Sequence, residues 1–211
     1  MPISIPRSGA ISAFAMIVDI NGFTGMVENA EGDDIAQYTR DVLVGAIEAV
    51  ENNGGEVVGL MGDAFYALLS DADEVFKCCV GIAKDLDRQC EYISECQSET
   101  PELFSFSPGG PGLKIGIEYG LLDISPIHSN YLKAQNLFIG TAVNYASRIT
   151  AAGKGNRCLI GPKAAKQGLN QYSHRGPFTV KGKAGEKRYT YFELDLDDIW
   201  WTGGEARTSW E

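Results

Sequence analysis

Two apolar segments of this chain each end on an aspartate, and this pair constrains the fold more than any other feature. Asp19 follows the apolar run 13–18, and Asp63 stands between the apolar runs 57–61 and 64–69. A carboxylate at the end of a buried strand is costly unless a cation or a hydrogen-bond donor pairs with it. Taken singly, each aspartate is typical of a turn or a helix N-cap. Two neighbouring strands that deliver two carboxylates favour a site for paired divalent cations.

The hydrophobic pattern predicts an α+β fold with the order β-α-β-β-α-β, a ferredoxin-like unit. Apolar residues at helical spacing indicate amphipathic helices over 33–53 and 73–96. Gly62-Asp63 is typical of the two-residue turn of a β-hairpin. The expected strands of the unit are 13–18, 56–61, 64–69 and 113–119. A C-terminal extension follows, with a helix at 141–152 and strands near 158–160, 178–181 and 188–194.

The chain is predicted to form one domain with short additions at its ends. We expect an N-terminal segment over 1–12, a folded domain over 13–195 and a tail over 196–211. A stretch rich in proline, glycine and serine at 97–112 predicts a loop. A chain of 211 residues is long enough to bury a sizeable core.

The net charge of −10 limits the partners that this chain can bind. Nucleic-acid backbones and anionic membrane surfaces are bound through basic patches, so we expect neither as a partner. No apolar run approaches about 18 residues and the N-terminus lacks a signal-peptide pattern, which together predict a cytoplasmic protein. The five cysteines lack metal-site spacing and predict reduced, buried thiols.

Four short blocks resemble, in order, the motifs of one protein family. The blocks are Asp19-Ile20-Asn21-Gly22-Phe23-Thr24, Gly62-Asp63, Gly140-Thr141-Ala142-Val143-Asn144-Tyr145-Ala146-Ser147-Arg148 and Val180-Lys181-Gly182-Lys183. They resemble the catalytic domain of class III nucleotide cyclases, the adenylate and guanylate cyclase superfamily. The resemblance covers nearly the whole chain. It implies a class III cyclase fold over 13–195 and the conversion of a nucleoside triphosphate to a 3′,5′-cyclic nucleotide and pyrophosphate.

The first two blocks imply a metal site. By resemblance, Asp19, Asp63 and the backbone carbonyl of Ile20 hold two divalent cations, Mn²⁺ or Mg²⁺. Phe23 and Thr24 are expected in a tight turn whose backbone N–H groups face phosphate oxygens.

The later blocks imply three further site residues. By resemblance, Asn144 orients the ribose, Arg148 stabilises charge on the α-phosphate, and Lys181 binds the terminal phosphates. From the residues alone, Arg148 also fits a solvent-facing helix cation and Lys181 a surface lysine. Asn144 is harder to explain structurally, because an amide among apolar neighbours has poor helix propensity. In the family the metal aspartates and this helix meet across a dimer interface, which implies a homodimer with two complete sites.

The base that the site reads is a separate question. Adenylate cyclases read adenine with a lysine and an aspartate at positions that here hold Gly59 and Leu137. The guanylate pattern is absent as well. A site without hydrogen-bonding side chains discriminates weakly between bases, so other residues must read or fill the pocket. Phe65 and Tyr66, beside the hairpin turn, are candidates for filling it around a smaller base.

The chain also resembles the stand-alone bacterial pyrimidine cyclases of Pycsar anti-phage systems. Those enzymes lack sensor modules and depart from the purine-reading pair. This resemblance favours a pyrimidine substrate, with UTP preferred to CTP although the sequence offers no physical reason for that choice. It implies that cyclic UMP acts as a second messenger in anti-phage defence, read by a separate effector that responds to the cyclic nucleotide.

Three alternatives remain at this point. The chain fits an adenylate or guanylate cyclase, or a catalytically silent homologue that binds nucleotide without turnover. Gly54-Gly55-Glu56 is also similar to the signature of diguanylate cyclases. That signature forms a hairpin turn, however, whereas here the turn falls at Gly62-Asp63 and the two glycines more simply end a helix.

Overall fold

One eight-stranded β-sheet organises the chain. The structure is a computed structural model that describes residues 3–29, 32–96, 112–127, 135–153, 157–182 and 185–195. Its strands are β1 (Gly9–Ile20), β2 (Glu56–Met61), β3 (Ala64–Leu69), β4 (Leu113–Ile127), β5 (Gln135–Ile139), β6 (Arg157–Ile160), β7 (Arg175–Val180) and β8 (Tyr189–Asp195). Its helices are α1 (Phe23–Asn29), α2 (Gly32–Asn52), α3 (Ala72–Cys96), α4 (Thr141–Ala152) and α5 (Pro162–Lys166). None of these helices is long and apolar enough to cross a bilayer.

The first four strands form the ferredoxin-like unit that the sequence predicts. The order across the sheet is β2-β3-β1-β4-β6-β8-β7, and β5 pairs with β4. Strands β1 to β4 pair antiparallel, with α2 and α3 in the connections, which confirms the α+β class and the β-α-β-β-α-β order. The C-terminal extension begins where β6 pairs in parallel with β4.

The two faces of the sheet are covered by different helices. Along β1, the even-numbered residues from Phe14 to Ile20 pack with α2 and α3 in the main core. The odd-numbered residues from Ala13 to Ile17 pack with α4 on the other face. Because strand side chains alternate between faces, Asp19 lies on the α4 face.

Strands β1 and β4 are longer than predicted. They pair with each other from Gly9 opposite Ile124 to Ile20 opposite Leu113. The outer residues of both strands are largely exposed, so the hydrophobic pattern does not mark them. Backbone hydrogen bonds between the two strands extend this ribbon, in which Leu122 and Ile124 are the buried apolar side chains of the outer part of β4.

Two short α-helices and one short strand are missing from the sequence prediction. The helices α1 and α5 and the strand β5 are five to seven residues long, too short for a hydrophobic period to stand out. Pro162 at the start of α5 is the one local signal, since proline suits the first turn of a helix. The predicted loop at 97–112, apart from Gly112, and the predicted tail at 196–211 lie outside the described residues.

The cysteines whose side chains the structure describes are buried and free. Cys78, Cys79 and Cys158 have no disulfide. The Sγ atoms of Cys79 and Cys158 lie 3.7 Å apart. This hydrogen bond and burial hold the pKa of the Cys79 thiol well above its usual range. These thiols therefore serve as small core residues, as the sequence predicts.

Helix α4 approaches β4 closely at Gly116. A Cβ at this position would lie 2.6 Å from the carbonyl oxygen of Ala146 and would also overlap Thr150. We predict that Gly116→Ala lowers the free energy of unfolding by about 1–3 kcal/mol, because it forces α4 off the sheet. Urea unfolding measures this. Gly25→Ala in α1, where a Cβ would meet nothing within 4 Å, is the control and should not destabilise. Equal stability of the two variants would contradict the predicted close packing.

Candidate active site

The two aspartates that end the apolar strands lie side by side. In the β1–β3 pairing Asp19 is opposite Ala64, next to the hairpin turn. The N–H of Ile20 donates to the carbonyl oxygen of Asp63 at 3.1 Å and ties the end of β1 to that turn. Gly62 permits the turn because it adopts a φ of 66°, in the left-handed region. The structure thus brings together all three of the residues proposed to hold metal.

A lysine that sequence reasoning missed lies beside these carboxylates. Lys114 is opposite Asp19 in the β1–β4 register. Its Nζ is 2.6 Å from Asp19 Oδ1. That oxygen is buried and, within the described residues, accepts no hydrogen bond of normal geometry, so the ammonium contacts it off the hydrogen-bonding direction. Only the strand register links the two residues, because they are far apart in the sequence.

The charges around Asp63 favour a bound cation. Burial raises the pKa of the Asp63 carboxyl, and the charge of Asp19 raises this pKa further, against the opposing effects of its backbone N–H and of Lys114. Two repelling carboxylates, one with a poorly paired buried oxygen, fit hard divalent cations. Within the described ranges no group of three or more acidic, His or Cys side chains is placed to bind metal, so other ligands would be carbonyl or substrate oxygens. We call Asp19, Ile20 and Asp63 the acidic half-site.

Phe23 and Thr24 begin a helix rather than lying in the predicted tight turn. The turn is confined to Asn21 and Gly22, where Gly22 has a φ of 76°. The N–H of Asn21 donates to the carbonyl oxygen of Gly112 at 2.8 Å. The first N–H groups of a helix lack acceptors within it, so Phe23 and Thr24 still offer donors close to the acidic half-site.

Asn144 and Arg148 share the face of α4 that is turned away from the sheet. The face that packs on the sheet consists of Ala142, Ala146, Ile149 and Thr150. At about 3.6 residues per turn, Asn144 and Arg148 fall on roughly the opposite side. Asn144 is exposed and Arg148 is half-buried. Because Asp19 lies on the sheet side of α4, the two residues face away from the acidic half-site of their own chain.

An ion pair joins α4 to the connection between β7 and β8. Nε and Nη2 of Arg148 donate to Glu186 at 2.9 and 2.7 Å. Lys181, which is exposed, directly follows β7 in this connection. A Cβ at Gly182 would lie 2.5 Å from the Cβ of Glu186, so the segment that carries Lys181 lies against the ion pair. We call Asn144, Arg148 and Lys181 the basic half-site.

A tyrosine on α4 holds the helix against β8. The hydroxyl of Tyr145 donates to the carbonyl oxygen of Thr190 at 2.8 Å and accepts from the N–H of Thr190 at 2.9 Å. Its ring packs edge-to-face on Tyr189. No local pattern in the sequence predicts this contact, because it depends on how β8 returns beside α4.

The two base-reading positions offer no hydrogen-bonding side chain. Gly59 pairs with Tyr66 across the hairpin, and a Cβ at Gly59 would meet nothing within 4 Å. Leu137 on β5 is 44% exposed. Phe65 is wrong as a pocket filler, because its side chain is fully buried in the main core on the opposite face. Tyr66 packs on the α4 face, and its buried hydroxyl has no hydrogen-bond partner among the described residues.

The protein family described as the adenylate and guanylate cyclase catalytic domain matches residues 7–193. The chain belongs to this family. An adenylate cyclase of Anabaena cylindrica is 28% identical over 157 residues, which make up 72% of this chain and 30% of that protein. The chain thus spans about 30% of the length of this curated relative.

Solved structures of cyclases share the fold. The crystal structure of the guanylyl cyclase Cya2 has a TM-score of 0.74 and 17% identity, covering 89% of this chain and 93% of that chain. The adenylyl cyclase CyaB from P. aeruginosa has a TM-score of 0.68 and 16% identity, covering 90% of this chain and 97% of that chain. These similarities confirm the class III cyclase fold that the sequence motifs predict.

Proposed function

We propose that this chain is a subunit of a homodimeric, metal-dependent nucleotide cyclase. It converts a nucleoside triphosphate to a 3′,5′-cyclic nucleotide and pyrophosphate. The observation that carries this proposal is the opposite orientation of the two half-sites. Asp19 lies on the sheet side of α4, whereas Asn144 and Arg148 lie on its outer side. Each site therefore combines the acidic half-site of one subunit with the basic half-site of the other.

The reaction forms one bond and breaks one. The ribose 3′-oxygen bonds to the α-phosphorus, the bond from that phosphorus to the bridging oxygen of pyrophosphate breaks, and the 3′-hydroxyl proton leaves to solvent. Asp19, Asp63 and the carbonyl of Ile20 would hold two divalent cations, Mn²⁺ or Mg²⁺. When bound, such cations activate the hydroxyl and neutralise the polyphosphate.

The remaining residues bind and orient the substrate. Asn144 hydrogen-bonds the ribose and keeps the 3′-oxygen in line with the α-phosphorus, where a displacement of about 1 Å costs on the order of a hundredfold in rate. Arg148 stabilises the charge that develops on the α-phosphate. Lys181 binds the terminal phosphates, and the N–H groups of Phe23 and Thr24 donate to phosphate oxygens.

We further propose that the base is a pyrimidine, with UTP preferred to CTP. The open space at Gly59 and the exposed apolar Leu137 leave a purine without its paired hydrogen bonds. Tyr66, directly across the hairpin from Gly59, supplies bulk beside a smaller base. The cyclic pyrimidine nucleotide would act as a second messenger in anti-phage defence, through a separate effector that responds to it.

We predict that UTP or CTP is cyclised at least about tenfold more efficiently than ATP or GTP, a difference of about 1.4 kcal/mol in transition-state binding. The purified protein is incubated with all four triphosphates at equal concentration and Mn²⁺, and the products are identified by mass. Predominant cyclic AMP or cyclic GMP would overturn the pyrimidine proposal and leave the cyclase intact. Lack of any cyclic product, with folded dimer and metal present, would identify a silent homologue.

A further inference from the structure

Arg148 and Glu186 form a two-point ion pair that the proposed reaction does not by itself require. Arg148 Nη2 lies 2.7 Å from Glu186 Oε1, and the two side chains are 23% and 28% exposed. The hydroxyl of Tyr189 also approaches Glu186 Oε2, at 3.4 Å. The pair joins residues of two different elements, α4 and the β7–β8 connection. It is therefore a tertiary contact between two elements of the fold, not a contact between neighbouring residues of one helix.

Glu186 occupies one edge of the Arg148 guanidinium, and the side chain of Tyr189 lies within hydrogen-bonding reach of Arg148 as well. An arginine has five N–H donors, and Glu186 takes those of Nε and one of Nη2. One N–H of Nη1 and the second N–H of Nη2 form the adjacent edge of the planar guanidinium. Arg148 can therefore donate to a phosphate while Glu186 still holds it. Because both carboxylate oxygens are engaged, the plane of the guanidinium is also fixed.

The same pair positions the segment that carries Lys181. Gly182 follows Lys181, and a Cβ at Gly182 would lie 2.7 Å from Glu186 Oε2 as well as overlapping its Cβ. The backbone at Gly182 therefore lies in close contact with the side chain of Glu186, which pairs with Arg148. Glu186 thus pairs with Arg148 and also lies against the backbone of the segment that carries Lys181.

We propose that Glu186 is a positioning residue, which aligns Arg148 and docks the Lys181 segment so that both cations meet one triphosphate. This inference rests on the proposed function. Positioned charges stabilise a transition state because they need no rearrangement during the reaction. Without Glu186, Arg148 would sample several rotamers, and the connection would lose its attachment to α4.

The test compares Glu186→Ala and Glu186→Gln with the parent dimer in steady-state kinetics with Mn²⁺ and the best triphosphate. We expect kcat to fall at least about tenfold in Glu186→Ala while KM changes less than about threefold, because alignment is lost more than binding. Glu186→Gln keeps one acceptor oxygen, so its kcat should lie between that of Glu186→Ala and that of the parent. Glu51→Gln, the same change at an exposed position on α2, is the control and should match the parent. Unchanged or increased kcat in Glu186→Ala would overturn the proposal, and an increase would indicate that Glu186 masks Arg148.

A double-mutant cycle separates positioning from a general structural role. If Glu186 acts through Arg148, Glu186→Ala should cost little further activity in an Arg148→Ala background. An equal loss in both backgrounds would overturn the proposal.

Hydrogen exchange of the backbone amides in peptides over 181–188 tests the docking of this segment without requiring enzyme turnover. Glu186→Ala and Arg148→Ala should each speed exchange there, and exchange like that of the parent would contradict docking. A parent enzyme without cyclase activity would refute the proposed function, while this exchange experiment would still decide whether the docking exists.

Discussion

Asp63→Ala should lose cyclase activity by at least about a thousandfold, since bound cations contribute several kcal/mol to the transition state and each 1.36 kcal/mol is about tenfold in rate. Asp19→Ala should behave likewise, because the two carboxylates share one end of β1 and the adjacent turn. Product formation with Mn²⁺ and each triphosphate measures the loss. Asp41→Ala on α2, on the other side of the sheet, is the control and should keep the parental rate.

The Asp63→Ala chain should nevertheless remain folded. The raised pKa of the Asp63 carboxyl, caused first by burial, means that its ionised form is disfavoured in the folded state without metal. Removing it should therefore leave the melting temperature in EDTA no lower than that of the parent. Added Mn²⁺ at about 100 times its Kd should stabilise the parent by about 2.7 kcal/mol and the variant much less. Undiminished turnover in either aspartate variant, or equal stabilisation by Mn²⁺, would contradict the metal assignment.

The parts of the fold that could be predicted from the sequence are those with strong local patterns. The ranges of β2, β3 and α4 are those predicted, and Gly62 and Asp63 form the hairpin turn. Long amphipathic helices and a glycine-centred turn are set by nearby residues, so the sequence shows them directly. The same reasoning placed Asn144 and Arg148 on one face of a helix.

Other parts of the site depend on contacts between distant segments. Lys114 meets Asp19 only through the β1–β4 register, and Glu186 meets Arg148 only because β8 and the β7–β8 connection return beside α4. Phe65 and Tyr66 both lie beside the hairpin turn, and because β3 is buried on both faces its sequence lacks the alternation that would show which of the two lies on the α4 face. Register and sheet faces are properties of the assembled fold, and a single sequence shows neither.

The second large effect is expected when two inactive variants are mixed. Asp63→Ala disables the acidic half-site and Arg148→Ala disables the basic half-site. The homodimer of either variant therefore has no complete site. A mixed dimer has one site with both defects and one with neither. With free subunit exchange half of the dimers are mixed, so an equimolar mixture should recover about a quarter of the parental activity per chain.

A matched control uses the same substitutions on one chain. Asp63→Ala and Arg148→Ala together leave no intact half-site, so a dimer of this double variant with the parent has no complete site. An equimolar mixture of the double variant and the parent should then fall to about a quarter of the activity of the same total concentration of parent chains. If each site were built within one chain, the mixture would instead keep about half of that activity.

Complementation between Asp63→Ala and Arg148→Ala is the most direct test of a site shared by two subunits. The two chains carry different affinity tags, so mixed dimers can be isolated in sequence on both tags and assayed with Mn²⁺ and the preferred triphosphate. We predict that isolated mixed dimers reach about half of the parental rate per dimer, because one of their two sites is intact. Mixed dimers that remain as inactive as either variant alone would show that each site is built within a single chain, and would contradict this account.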